Sequence, residues 1–196
     1  MVVAMVTWGY SWTSAKILGP YGDVSVKLFL RFFLASIALI PILIKYKIPF
    51  ILNKKGLQFI LINAFSLCSY NYFYFRSTHM GLAGAGGVLV TTLNPILTST
   101  VVFCFIERSV SLKDIIGLAI GFIGGSIIIR FWEMDFDLML KSGNLFYILA
   151  SFSWVAVTIT SQKSKEAVHF LTYSFWSFTI AAIFSLSVCN WSGISI

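Results

Sequence analysis

Charge is what this sequence has least of. Charged residues fill 11% of its 196 positions while hydrophobic ones fill 58%, against roughly 25% and about 45–50% in an ordinary soluble domain. A water-soluble globule of this size exposes too much surface to be covered by so few charges. That excludes a cytosolic enzyme, a nucleic-acid-binding domain, a disordered tail and a secreted disulfide scaffold. Acids are scarcer than bases: seven Asp and Glu stand against fourteen Lys and Arg, for a formal net charge of +7. The three cysteines, Cys68, Cys104 and Cys189, lie inside apolar runs and read as reduced structural thiols. The two histidines, His79 and His169, fall at run ends. No Cys/His metal spacing, G-x-S-x-G elbow, phosphate loop or pair of intramembrane carboxylates is present. The sequence therefore predicts no enzyme, no metal and no cofactor.

What the chain has instead is long apolar runs. A hydrocarbon core about 30 Å thick needs roughly 20 residues of helix. Seven stretches qualify: Val2–Leu18, Lys27–Ile44, Leu57–Phe75, Leu82–Phe105, Leu112–Arg130, Gly143–Gln162 and Phe170–Val188. The runs are continuous, as in Ala35-Ser36-Ile37-Ala38-Leu39-Ile40, rather than alternating, which excludes a β-barrel. The expected fold is an all-α, polytopic transmembrane helix bundle of about seven helices. Seven helices also suit a retinal protein, but Phe170–Val188 has no lysine to form a Schiff base.

Basic residues set the expected orientation. Lys45, Lys47, Lys54, Lys55, Arg108, Lys113, Lys163 and Lys165 all fall in connections on one side. The other side receives Asp23, Arg76, His79, Glu133, Asp135, Asp137 and Lys141. The first set should be cytoplasmic, which puts the N-terminus there too. The first run has no basic flank or small-residue cleavage site, so it reads as a retained helix in a cell (inner) membrane.

Polar groups inside the runs are the candidate functional residues, because a charge in lipid costs at least about 2.5–3.5 kcal/mol. Asn63, Ser66, Tyr70 and Tyr74 recur at spacings of three, four and four and share one helical face. Such a stripe either lines a water-filled path or holds helices together. Thr91, Thr92, Asn94 and Pro95 form a polar break in the fourth run, where Pro95 frees the Thr91 carbonyl. This is either a substrate position or a structural kink. Trp8, Trp12 and Trp154 are available to pack on a ligand, and Trp132 and Trp191 read as interfacial. Lys16 and Arg31 either snorkel to headgroups or serve as cavity charges. Gly117, Gly121 and Gly125 form a doubled G-x-x-x-G ridge for helix packing, within the chain or in a dimer.

A weak repeat is also visible. Superposing Trp8 on Trp154, about 146 residues apart, aligns two helices with a central Trp and a hydroxyl-rich end. Five runs separate their starts, so the two halves would enter the membrane in opposite senses.

Together these residues resemble the EamA-type domain of the drug/metabolite transporter superfamily. The resemblance rests on Trp8-Gly9, Leu30-Arg31-Phe32, Leu93-Asn94-Pro95, Glu107-Arg108, and Gly117 with Gly121–Gly125. Ile106 departs from the family's usual glycine before the Glu-Arg pair. The resemblance implies an inverted-repeat transporter fold: residues 2–130 as a five-helix repeat, 131–142 as an extracytoplasmic linker, and 143–196 as the first two helices of a second repeat. It implies a secondary transporter, often an exporter, of small metabolites such as amino acids. Glu107 would then serve as a gate or a plain ion-pair partner at the inner mouth. The family has about ten helices, so the chain is expected to be either a fragment or a shortened, non-transporting relative or partner subunit. Its expected partners are the lipid bilayer, a small-molecule substrate and either the three further helices or a second copy, with no nucleic acid.

Overall fold

The computed structural model describes residues 2–106, 111–128, 131–133 and 135–189. They form eight helices: α1 (Val2–Ile17), α2 (Val24–Lys45), α3 (Lys54–Met80), α4 (Ala83–Ile106), α5 (Leu112–Ile128), α6 (Phe136–Lys141), α7 (Asn144–Ser164) and α8 (Phe170–Ser187). Seven are long and correspond to the seven apolar runs. The short α6 and a 3₁₀ turn, Phe131–Glu133, lie between α5 and α7 in the chain. No strand occurs among the described residues. Four helices are long and apolar enough to cross a bilayer within their described residues: α2, α4, α7 and α8. Helices α1 and α5 have 16 and 17 described residues. At 27 residues α3 has the length, but the polar side chains that make it interesting dilute its hydropathy.

Short polar side chains start these helices by taking up amide N–H groups that would otherwise have no acceptor. Asp23 accepts from the Val24 amide at 2.7 Å and from the Ser25 hydroxyl at 2.8 Å at the head of α2. Asn53 accepts from the Gly56 amide at 2.6 Å at the head of α3. Ser111 and Asp114 form a reciprocal capping box on α5, the Ser111 amide donating to Asp114 at 3.1 Å and the Asp114 amide to Ser111 at 3.2 Å. On α8 the cap is His169, whose Nδ1 accepts from the Leu171 amide at 3.2 Å. Pro41 and Pro95 lie inside α2 and α4 without ending them. The polar break expected at Pro95 is therefore an unbroken helix: proline removes one amide donor, and the bonds above and below carry the helix through.

The residues gather into two compact units, one of Met1–Pro20 with Phe73–Val155, the other of Tyr21–Tyr72 with Ala156–Ile196. Helices α3 and α7 each contribute residues to both units. In both units the usual polarity of a soluble core is inverted. On α5, Ile115, Ile116, Ile120, Phe122, Ile123 and Ile127 are exposed, and on α2 so are Phe33, Leu34 and Ile37. Small and polar side chains are buried beside the inward aromatic and aliphatic ones: Ser177, Ala181 and Ser185 of α8, and Ser77 and Thr78 of α3. Lipid tails give no hydrophobic reward for helix association, so close backbone approach through small residues takes its place.

In the second unit α2 packs along α8, the two running antiparallel. Phe32 stacks on Phe178 at 6.2 Å, and Thr179 donates to Ser36 at 3.3 Å. Beyond the end of α2, the carbonyls of Pro49 and Phe50 accept from Thr172 at 2.8 Å and Trp176 at 2.9 Å, near the start of α8. The spacing that separates Trp8 from Trp154 also separates the two cap residues Asp23 and His169, the first residues of α2 and α8, and the stacked pair Phe32 and Phe178.

Candidate functional site

The α3 stripe is buried along its whole length. Asn63, Ser66, Tyr70, Asn71 and Tyr74 are each no more than 7% exposed, while Leu61, Ile62, Phe65 and Tyr72 on the opposite side are all at least 47% exposed. Helical periodicity explains this directly: one face is polar and inward, the other apolar and outward. Phe73 is half-buried and packs on Phe146 at 6.3 Å.

Hydroxyl and amide donors on this stripe mostly bond back to their own helix. Ser66 donates to the Ile62 carbonyl at 2.8 Å, and Asn71 Nδ2 to the Leu67 carbonyl at 2.8 Å. Tyr74 instead reaches α1, donating to the Ser11 carbonyl at 2.7 Å. The acceptors are different. The amide oxygens of Asn63 and Asn71, and that of Asn94 on α4, are buried with no hydrogen-bond partner among the described residues. So is the Ser177 hydroxyl of α8, in the same unit as Asn63 and Asn71. An unsatisfied buried polar group costs about 1–3 kcal/mol, and several together need a reason.

In the first unit the centre is aromatic. Trp12 is 5% exposed, whereas Trp8, one turn earlier, is 36% exposed. The Trp12 ring meets Tyr74 edge-on at 4.7 Å and Tyr147 at 5.9 Å. Tyr147 is fully buried and donates to the Leu82 carbonyl at 3.3 Å. Gly86 lies against the Tyr147 ring so closely that a methyl group there would overlap it. Lys16, at the far end of α1, donates to the carbonyls of His79 at 3.0 Å and Gly81 at 2.7 Å, just where α3 ends. Its ammonium thus ties α1 to the α3–α4 turn and complements the negative end of the α3 dipole.

The remaining sequence candidates are placed as follows. Thr91 is exposed, with its hydroxyl bonded back to the Gly87 and Val88 carbonyls at 2.7 and 3.0 Å. Pro95 and Arg31 are exposed on their helices. Gly125 closes on Thr92, whose Cγ2 lies 2.9 Å from the position a Cβ would take, Gly121 touches the same methyl at 4.0 Å, and Gly117 has nothing within 4 Å. The glycine ridge thus meets α4 at its C-terminal end. Glu107, like Arg108, lies outside the described residues. Tyr147, Tyr173 and Ser177 are what the sequence reading passed over. Asn71 was visible as a polar residue in an apolar run, yet stepped off the three-four-four spacing. Among the described residues no three His, Cys, Asp or Glu side chains gather to hold a metal.

These features, inward polar stripes on helices with outward aliphatic faces, belong to a membrane-embedded bundle. Residues 1–130 match the EamA-like transporter family. The chain belongs to that family. It is accordingly an integral membrane protein of the drug/metabolite transporter type. No curated protein and no solved structure matches it significantly. The matched segment runs from α1 to the end of α5 and so includes the Trp8-Gly9, Leu93-Asn94-Pro95 and Gly121–Gly125 elements of this EamA-like chain.

Proposed function

We propose that this EamA-like protein carries small metabolites, amino acids or closely related compounds, outward across a cell (inner) membrane by alternating access. The observation that carries the reading is that the amide oxygens of Asn63 and Asn71 in the second unit, and of Asn94 in the first, are buried with no hydrogen-bond partner among the described residues. A membrane helix does not hold such groups for packing alone, because each forfeits its hydrogen bonds to water with nothing in return. A substrate with ammonium, amide or hydroxyl donors, or the water that precedes it, supplies what these oxygens lack. Tyr70 and Tyr74 add phenolic groups on the same face, and Asn63, Tyr70, Tyr74 and Asn94 are assigned to the substrate path. The distribution of lysines supports a cytoplasmic N-terminus: Lys45, Lys47, Lys54, Lys55, Lys163 and Lys165 flank the α2–α3 and α7–α8 connections.

Efflux of preloaded radiolabelled amino acids from cells producing the protein tests the reading. Asn94→Ala and Tyr70→Phe should each slow efflux about tenfold, the effect of one lost hydrogen bond to a charged group, with membrane levels of protein unchanged. Unaltered efflux in both variants would remove these residues from the path.

A further inference from the structure

The basic turn beside the head of α3 encloses a cavity that the transport reading does not use. Lys55 and Phe59 of α3, Lys163 at the end of α7, and Glu166 and Ala167 of the following turn line a half-open space of about 340 Å³. All of these residues belong to the second compact unit. The walls are fastened together. Asn53 caps α3 through its Oδ1 and donates from Nδ2 to the Ala167 carbonyl at 3.0 Å. Gly56 packs so tightly on Val168 that a Cβ would come within 2.8 Å of Val168 Cγ2. The turn itself is closed by the Ala167 and Val168 amides, both donating to the Ser164 carbonyl at 2.9 Å.

Its depth follows from the flanking helices. Both α7 and α8 are long enough to cross a bilayer, so the turn joining them lies at the membrane surface. The ammonium and carboxylate groups therefore sit at headgroup level, with the Phe59 ring one helical turn along α3 from Lys55. Among the described residues no hydrogen bond or ion pair engages Lys55, Lys163 or Glu166. The cavity wall thus sets two ammonium groups against a single carboxylate, and Lys54 and Lys165 stand next to Lys55 and Glu166 in the chain, a basic excess that draws in phospholipid phosphates.

We propose that this cavity binds the headgroup of a phospholipid that carries a primary ammonium. The phosphate lies between Lys55 and Lys163, the ammonium donates to Glu166, and the start of the glycerol and acyl region rests on Phe59 and Ala167. The pairing of charges selects this occupant. A headgroup with phosphate but no ammonium leaves the Glu166 carboxylate facing an anion. A quaternary ammonium has no N–H to donate to it. A free phosphate uses neither Glu166 nor the apolar wall.

Native mass spectrometry of the full chain, delipidated in detergent and then offered equal amounts of phosphatidylethanolamine, phosphatidylcholine and phosphatidylglycerol, tests the assignment. The ethanolamine lipid should be retained about tenfold over either competitor, as one charge-assisted hydrogen bond provides. Glu166→Gln should bring the ethanolamine and choline lipids to parity, and Lys55→Gln with Lys163→Gln should abolish retention of all three. These side chains are exposed, and unchanged circular dichroism and melting temperature of the variants identify any loss as one of binding. Equal retention of the three lipids, an ethanolamine preference that survives Glu166→Gln, a preference for phosphatidylglycerol, or displacement of the lipid by inorganic phosphate alone would each overturn the proposal.

Discussion

Replacing Trp12 by alanine should destabilise the protein by about 3 kcal/mol. The indole is the hub of the first unit, holding the Tyr74 ring edge-on at 4.7 Å and the Tyr147 ring at 5.9 Å. Truncating a buried Trp in a soluble core costs about 3–5 kcal/mol, partly transfer from water and partly the cavity left behind. In a bilayer or micelle the transfer part is largely absent, since lipid is as apolar as the core. The cavity and the lost ring contacts remain, which places the cost at the low end of that range. Trp12→Phe keeps one ring in place and should lose less than half as much. Unfolding in a detergent of increasing denaturing strength measures both. A Trp8→Ala loss as large as that of Trp12→Ala would contradict the assignment of the hub, because Trp8 lies on the exposed side.

Gly86→Ala should destabilise by about 1–3 kcal/mol, although alanine is the better helix former. The new methyl would enter the Tyr147 ring, and that ring has no room to retreat: it is fully buried, packs on Trp12 and donates to the Leu82 carbonyl. At about 2–4 °C per kcal/mol for a chain of this length, the melting temperature should fall by several degrees. Gly84, half a turn earlier on α4, has nothing within 4 Å of its would-be Cβ. Gly84→Ala should therefore be neutral or stabilise by up to about 1 kcal/mol. Opposite signs at two glycines of one helix isolate the packing effect from helix propensity, and equal signs would refute it.

The comparison of these two glycines shows where sequence reading stops. Periodicity and run length place all seven long helices, because membrane spans are defined by local composition that any window of the chain contains. They also place the α3 face, since three-four-four spacing is a property of one helix. They understate the extent of α3, whose apolar run covers Leu57–Phe75 but whose helix spans Lys54–Met80. The extra turns are polar, started by the Asn53 cap and finished where Lys16 meets the His79 and Gly81 carbonyls. Neither partner is visible from the apolar pattern. Choosing between Trp8 and Trp12, or recognising that Gly86 is there to admit Tyr147, requires knowing which helices meet. That information is held in pairs of residues far apart in the chain. Asn71 is the opposite case: it is legible as a polar group in an apolar run, but lies one position around the helix from Tyr70, on the edge of the stripe.

Whether the buried face of α3 meets water is the question on which the transport account turns, and cysteine accessibility answers it. With Cys68, Cys104 and Cys189 replaced by alanine, Asn63→Cys and Phe65→Cys place single thiols two residues apart on one helix, the first from the buried face and the second from a face 65% exposed to lipid. Only an ionised thiol reacts with a methanethiosulfonate, and a thiol in hydrocarbon stays protonated. In intact membranes the account predicts that a charged, membrane-impermeant methanethiosulfonate labels Asn63→Cys and leaves Phe65→Cys untouched. Labelling of neither, with both thiols titratable after denaturation, would mean that the polar stripe holds helices together and lines no path.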